Sequence, residues 1–217
     1  MELPELRRLV ARGEGLHLEF KRKAKHPDKL AREVVAFANT EGGIMLIGVD
    51  DDRQIYGLKF PDEEKFALNS YLQQHVFPAI ALDWFQVKVN RSRQVLGLRV
   101  GPSEARPHFI MDPKYERKYA YVRVRDMSVQ ASREWVQLMR MAHRSQAVRL
   151  RVGEPEKMLL QHLEEKPRIT LPETQRLLQL NKRRTSSMLI RLVDAGLLRI
   201  QPSEKGDYFS LREEAFG

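Results

Sequence analysis

The chain has no cysteine. Disulfides, thiolate zinc sites and cysteine nucleophiles are therefore excluded, and a reducing compartment, the cytoplasm, is the expected location. No apolar run approaches the roughly 18 residues of a membrane span. The first residues, MELPELRRLV, lack the apolar centre of a signal peptide and read as the start of a helix, so no membrane partner is expected. Six histidines are scattered at positions 17, 26, 75, 108, 143 and 162, and none forms an i, i+4 pair around a glutamate. Neither G-x-x-x-x-G-K-[ST] nor G-x-G-x-x-G occurs, which argues against a phosphate-loop ATPase. There is no internal repeat and no long low-complexity segment.

What is present is positive charge. The formal net charge is +9 and the pI about 9.8, a balance that favours a polyanionic partner. Residues 151–217 carry only +2 of it, and +7 lies in residues 1–150. A polyanion cannot be assigned to the C-terminal part alone. At 42% hydrophobic residues and 217 positions, the chain suits one large or two modest cored domains.

Periodicity predicts a helix over 2–12, a strand over 16–22, and a helix from Pro27 burying Leu30, Val34, Phe37 and Ala38. Strands are expected at 43–49 and 55–59, and a helix from Pro61 to Val76. The alternating runs 82–90 and 94–100 predict a hairpin. A strand over 118–125 and a helix over 128–144 follow. Trp84 and Trp135 lie in apolar patterns and are expected in cores, as are Phe85, Tyr119 and Tyr121. This is an α+β domain with a mixed sheet, assigned to residues 1–145.

Residues 143–155, HRSQAVRLRVGEP, mark the boundary. Residues 154–217 read as a winged helix-turn-helix. Helices are expected at 155–165, with Met158, Leu159 and Leu163 inward, and from 171 to 178 or 180. A third helix is capped by Asn181 and runs to about 195. Strands 199–201 and 208–211 would flank a small wing. In the third helix, Lys182, Arg183, Arg184, Ser186, Ser187 and Arg191 avoid the face of Thr185, Leu189, Leu192 and Val193. A recognition helix presents its N-terminal residues to the major groove, where arginine pairs with guanine edges and serine or lysine holds phosphates. Lys205 on the wing is a further candidate contact.

The most specific stretch is AREVVAFANTEGGIMLIGV at 31–49, followed by Asp50-Asp51-Asp52. Together with Glu19-Phe20-Lys21, Ile55-Tyr56-Gly57 and the later Tyr121-Val122-Arg123, it resembles the Schlafen/AlbA-like DNA-binding domain of bacterial regulators, over about residues 10–142. The sequence departs from that pattern at Arg53, where glycine is common, and at Arg125-Asp126-Met127, where Gly-Ser is usual.

The resemblance implies nucleic-acid binding. Lys21, Arg22, Lys23 and Lys25, with Arg123 and Arg125, are the candidate phosphate contacts. DNA is the expected partner and RNA the alternative; no cofactor is implied, and half-site recognition would suit a homodimer. The competing reading is a metal-dependent nuclease. Some eukaryotic Schlafen proteins cleave RNA with a Glu-x4-Glu-x-Lys arrangement and a later aspartate. Here those positions are Glu14, Glu19, Lys21 and Asp51 of the acidic turn. Converging carboxylates would hold Mg2+ or Mn2+, and Lys21 would stabilise developing charge.

Overall fold

A computed structural model describes residues 1–112, 116–142, 152–203 and 206–212. Lys205, His143 and most of the expected boundary segment lie outside the described residues. The chain divides into two units, Met1–Gln130 and Ala131–Gly217.

The N-terminal unit is built on a four-stranded mixed sheet. Its strands are β1 (Leu18–Lys21), β2 (Gly43–Ile47), β4 (Asp83–Lys88) and β5 (Gln94–Val100), in the order β1-β2-β5-β4. β1 and β2 run parallel, and the other pairs are antiparallel. The parallel pair is joined by helix α2 (Pro27–Asn39), the long connection that parallel strands require. β2 is apolar throughout because both of its faces are covered. Leu46 packs with Leu6 and Val10 of α1 (Leu3–Ala11), while Met45 and Ile47 pack with Val34, Phe37 and Leu68 from α2 and α3 (Pro61–His75).

A second, antiparallel sheet contains β3 (Val76–Phe77), β6 (Phe109–Asp112) and β7 (Arg117–Tyr119). A hairpin of β8 (Tyr121–Val124) and β9 (Met127–Gln130) completes the unit. The expected α+β class and mixed sheet are present. The expected helix over 128–144 is not one element. Residues 127–130 pair with β8, and α4 (Arg133–Met141) starts only after Ser132, whose hydroxyl caps the Trp135 N–H at 3.0 Å. The predicted strand at 55–59 is reduced to isolated bridges at Ile55 and Leu58.

Among the described residues four side chains other than glycine stand in the left-handed region, Glu116 and Gln179 being two of them. Arg53 has φ 63° and Arg125 φ 58°. These are the two positions where the sequence departs from the glycine-containing pattern, so the backbone keeps a glycine-like conformation without the glycine.

The C-terminal unit contains α4, α5 (Glu154–Glu165), β10 (Ile169–Thr170), α6 (Leu171–Leu178), α7 (Lys182–Asp194), β11 (Leu198–Gln201) and β12 (Tyr208–Leu211). Its antiparallel sheet has the order β10-β12-β11. Leu159, Leu163, Leu189, Leu192, Leu198 and Phe209 form the core, with Trp135 and Leu138 of α4 packed against it. The sequence boundary at 145 grouped α4 with the first domain. Its apolar face packs in this second core instead. Met158, expected inward, is exposed.

Candidate functional site

The motif-bearing stretch at the end of α2 is mostly a fastening device. Asn39 donates through Nδ2 to the carbonyls of His108 and Tyr121, both at 3.0 Å, and accepts the His108 N–H at 2.7 Å. Its amide is thereby tied to both segments that follow the first sheet. Thr40 accepts the Arg123 N–H at 2.9 Å and donates to the Ala36 carbonyl at 2.8 Å. Gly42 has φ 77°, and a Cβ there would stand 2.6 Å from the Val100 carbonyl oxygen. A Cβ on Gly43 would stand 2.3 Å from the Phe37 ring. The Gly-Gly pair is thus explained by crowding, with no ligand required.

This fastening delivers Arg123 to an ion cluster. On β1, Leu18 and Phe20 face α1, so Glu19 and Lys21 face α2. Glu19 receives Lys21 on one carboxylate oxygen and Arg123 Nη1 at 3.0 Å on the other. Arg123 Nη1 also reaches Glu33 at 2.6 Å, and its Nη2 donates to the Gly15 carbonyl at 2.7 Å. Ser128 donates to the same Glu33 carboxylate. The Arg123 side chain is fully buried, Glu19 6% exposed and Glu33 18%. The guanidinium lies 4.9 Å from the centre of the Phe37 ring.

Burial pushes the Glu33 carboxyl above its usual range, and Glu19 adds to this against Ser128, Arg123 and Lys21. Burial also raises Glu14, with Glu19 and Asp51 contributing, against the Phe20 N–H and Lys21. For Lys21, burial favours the neutral form but is outweighed by the Glu19 hydrogen bond and the surrounding carboxylates, and the ammonium is held more firmly than usual.

The sequence brought Glu14, Glu19, Lys21 and Asp51 together as a nuclease set. The structure places Glu14 within electrostatic reach of the other three. It does not turn the four toward a common metal. Glu19 has a basic partner on each oxygen, and Glu14 accepts the Phe20 N–H at 2.7 Å. Among the described residues no group of three or more His, Asp or Glu is arranged to hold a metal ion. Mg2+ and Mn2+ need several oxygens directed at one point, so this arrangement does not fit them. Arg123, expected to touch phosphate, is corrected to a buried structural arginine, and Lys21 to its partly buried neighbour.

Glu33 and Ser128 were missed. Glu33 sits at i+3 from Leu30 and i−4 from Phe37, on the apolar stripe of α2. A charge at such a position is the available signal for a buried partner.

The exposed cations of this unit lie elsewhere. Ala24 is buried and its N–H is held by Glu64 at 2.6 Å, which leaves Arg22, Lys23 and Lys25 outward. Arg22 stacks 4.4 Å from the Tyr56 ring centre. Arg125 is exposed at the β8–β9 turn.

In the C-terminal unit, Asn181 caps α7 by accepting the Arg184 N–H at 3.0 Å. Lys182, Arg183, Arg184 and Ser187 are exposed. Thr185, Met188, Leu189 and Leu192 are buried on the other side. Two expected contacts are already engaged. Ser186 donates to Glu134 at 2.6 Å, and Arg191 pairs with Glu156 at 3.3 Å. Ser186 is therefore corrected to a tie between α7 and α4. A groove of about 610 Å3 runs beside this helix, lined by Asn181, Arg183, Arg184, Ser187 and Arg191 from its side and by Glu156 from α5.

The family profile described as Schlafen, AlbA_2 matches residues 14–132, more than half of the sequence. The chain belongs to the Schlafen AlbA_2 family. The match covers the ion cluster and the fastening stretch, and ends where α4 begins. None of the curated proteins compared with the chain matches it. Among solved structures, the DIP2311 protein from Corynebacterium diphtheriae is similar at 22% identity and a TM-score of 0.44, over 67% of this chain and 33% of that one. This chain thus spans a third of that relative. The N-terminal domain of a RecG-related protein from Nitrosomonas europaea is similar at 19% identity and a TM-score of 0.41, over 69% of this chain and 94% of that one. Among the described residues no helix is long and apolar enough to cross a membrane.

Proposed function

We propose that this Schlafen AlbA_2 protein binds nucleic acid, and that its C-terminal unit is a winged helix reading duplex DNA through α7, as in a bacterial transcriptional regulator. The observation that carries the reading is the N-terminal half of α7. Three consecutive cations, Lys182, Arg183 and Arg184, are exposed at its first turn, while the opposite face is anchored in a core. Recognition helices use these positions for base edges and phosphates. The order of three helices, with two antiparallel strands after the third, supports the winged-helix assignment. Membership in the family and a net charge of +9 support a nucleic-acid partner. Arg22, Lys23 and Lys25 of the first unit would add phosphate contacts of their own. Two half-sites read by a homodimer would raise affinity without any new contact.

The test is a salt titration of binding to a mixed-sequence duplex, wild type against Arg183→Ala with Arg184→Ala. Loss of two phosphate contacts should weaken binding at least tenfold and lower the slope of log affinity against log salt by about 2. Both residues are exposed, so each substitution should change stability by no more than about 0.5 kcal/mol. An unchanged affinity and slope would remove α7 from the interface. A structured RNA run alongside distinguishes the alternative partner.

A further inference from the structure

A separate cavity of the N-terminal unit, about 410 Å3, is walled by Asp28 and Arg32 of α2, Tyr71 of α3, Asp112 of β6, Tyr119 of β7 and Tyr121 of β8. Ile110, buried, also lines it. These groups feel one another. The Tyr71 phenol is pushed up by burial first, then by Asp28 and Asp112, with Arg32 opposing. Burial likewise raises Tyr121, with Arg32 opposing and Tyr119 and Asp112 adding. The Arg32 guanidinium lies 5.7 Å from the centre of the Tyr121 ring. Three phenols, two carboxylates and one guanidinium therefore surround one space, and none of the six belongs to the Glu19–Arg123 cluster.

We propose that this cavity takes a nucleobase bearing an exocyclic amino group, supplied as a nucleotide or as an unstacked base of a single strand. Its volume falls within the usual range of small-molecule pockets, at the lower end, and suits a base with its sugar. Tyrosine faces and a guanidinium plane are the surfaces on which single-stranded bases stack. A carboxylate accepts hydrogen bonds, so Asp28 at the cavity wall selects a ligand edge made of donors. Guanine offers adjacent imino and amino donors, whereas uracil offers a single N–H between two carbonyls. A free cation would also suit carboxylates and aromatic rings. Arg32 disfavours it, whereas a neutral base can stack on the guanidinium plane or accept from it. Arg117 is exposed, two residues before Tyr119 and on the same strand face, where it can meet an attached phosphate. The choice of a nucleotide over other amino-bearing rings rests on the nucleic-acid reading above, but the pocket itself does not depend on α7.

The test is calorimetric titration of the full chain with guanosine and uridine monophosphates. GMP should bind at least tenfold more tightly than UMP. Tyr119→Ala should weaken GMP at least tenfold, and Asp28→Asn should erase the difference between the two nucleotides. GMP should also shift the ring resonances of Tyr71, Tyr119 and Tyr121 in the wild type, a measurement that needs no variant to fold. The Arg183→Ala, Arg184→Ala protein should keep the wild-type GMP affinity even when its duplex binding is lost, so failure at α7 and failure at this pocket can be told apart. No GMP binding, equal affinity for GMP and UMP, or binding indifferent to Tyr119→Ala would each overturn the proposal.

Discussion

Arg123 and Arg183 are the same residue type, and each stands in a stretch whose spacing points to nucleic acid. Arg123 has no exposed side-chain surface and touches Glu19, Glu33, Ser128 and the Gly15 carbonyl. Arg183 is exposed at the first turn of α7, on the wall of an open groove. Removing charge from water costs several kcal/mol per ion, and only close partners offset it. Arg123 is therefore committed to its cluster and has no donor facing solvent. Arg183 keeps its hydrogen-bonding capacity for an external partner. Spacing finds charged residues of interest, and burial decides whether they serve the fold or a ligand.

The largest expected effect breaks the buried side of this comparison. Arg123→Met would leave Glu19 with Lys21 alone and Glu33 with Ser128 alone, inside the unit. Breaking a buried pair from one side costs about 3–5 kcal/mol. Urea denaturation should show a loss of that size. A loss near the 0.5 kcal/mol expected for Arg183→Ala would mean that the cluster is effectively solvated, and the contrast would fail. Glu19→Gln sharpens the point. It retains hydrogen-bonding atoms but removes the charge, so its cost should fall between the two.

The Arg125 turn offers a smaller effect with the opposite sign. Arg125 and Asp126 form the two-residue turn between β8 and β9, and Arg125 has φ 58°. Such a conformation costs a side chain about 1 kcal/mol relative to glycine. Arg125→Gly relieves that strain but enlarges the unfolded ensemble, leaving a net gain of about 0.5 kcal/mol. A fall in the denaturation midpoint would mean that the exposed guanidinium contributes a folded-state contact that outweighs the strain.

The elements legible in the sequence were those with many periodic residues or explicit caps. The alternation of 82–90 and 94–100 located β4 and β5, and Asn181 located the start of α7. The failures have physical causes. β3 has two residues and β6 four, too few to display a period. At 128–144 a single helix was read across Ser132, although Ser132 is an N-cap and Val129 pairs across the hairpin with Val122. In the site, Glu19 and Lys21 could be placed on one strand face because β alternation is strict. That Arg123, 104 positions away, occupies the other Glu19 oxygen could not be read. Long-range pairing of this kind depends on Asn39 and Thr40 clamping β8 to α2, a contact that local periodicity does not encode.

The smallest effect lies at the edge of the buried cluster and reads its charge through pH. Burial is the main cause of the raised Glu14 carboxyl, with Glu19 and Asp51 adding to it. A carboxyl whose folded pKa exceeds its unfolded value holds its proton more tightly in the native state. Its contribution to stability is then greatest at acid pH and falls as pH rises from the ordinary glutamate value, about 4.3, through the folded value. Glu14→Gln removes that titration yet keeps a carbonyl oxygen to accept the Phe20 N–H. The substituted protein should lose less stability than the wild type between about pH 4.3 and neutrality, measured as urea midpoints across that interval. The change should be modest because Glu14 is only partly removed from water and solvent screens its neighbours. A wild type whose stability rose across the interval as steeply as the variant's would mean that Lys21 and the Phe20 N–H dominate at Glu14, and that the carboxylates around it are better neutralised than their crowding implies.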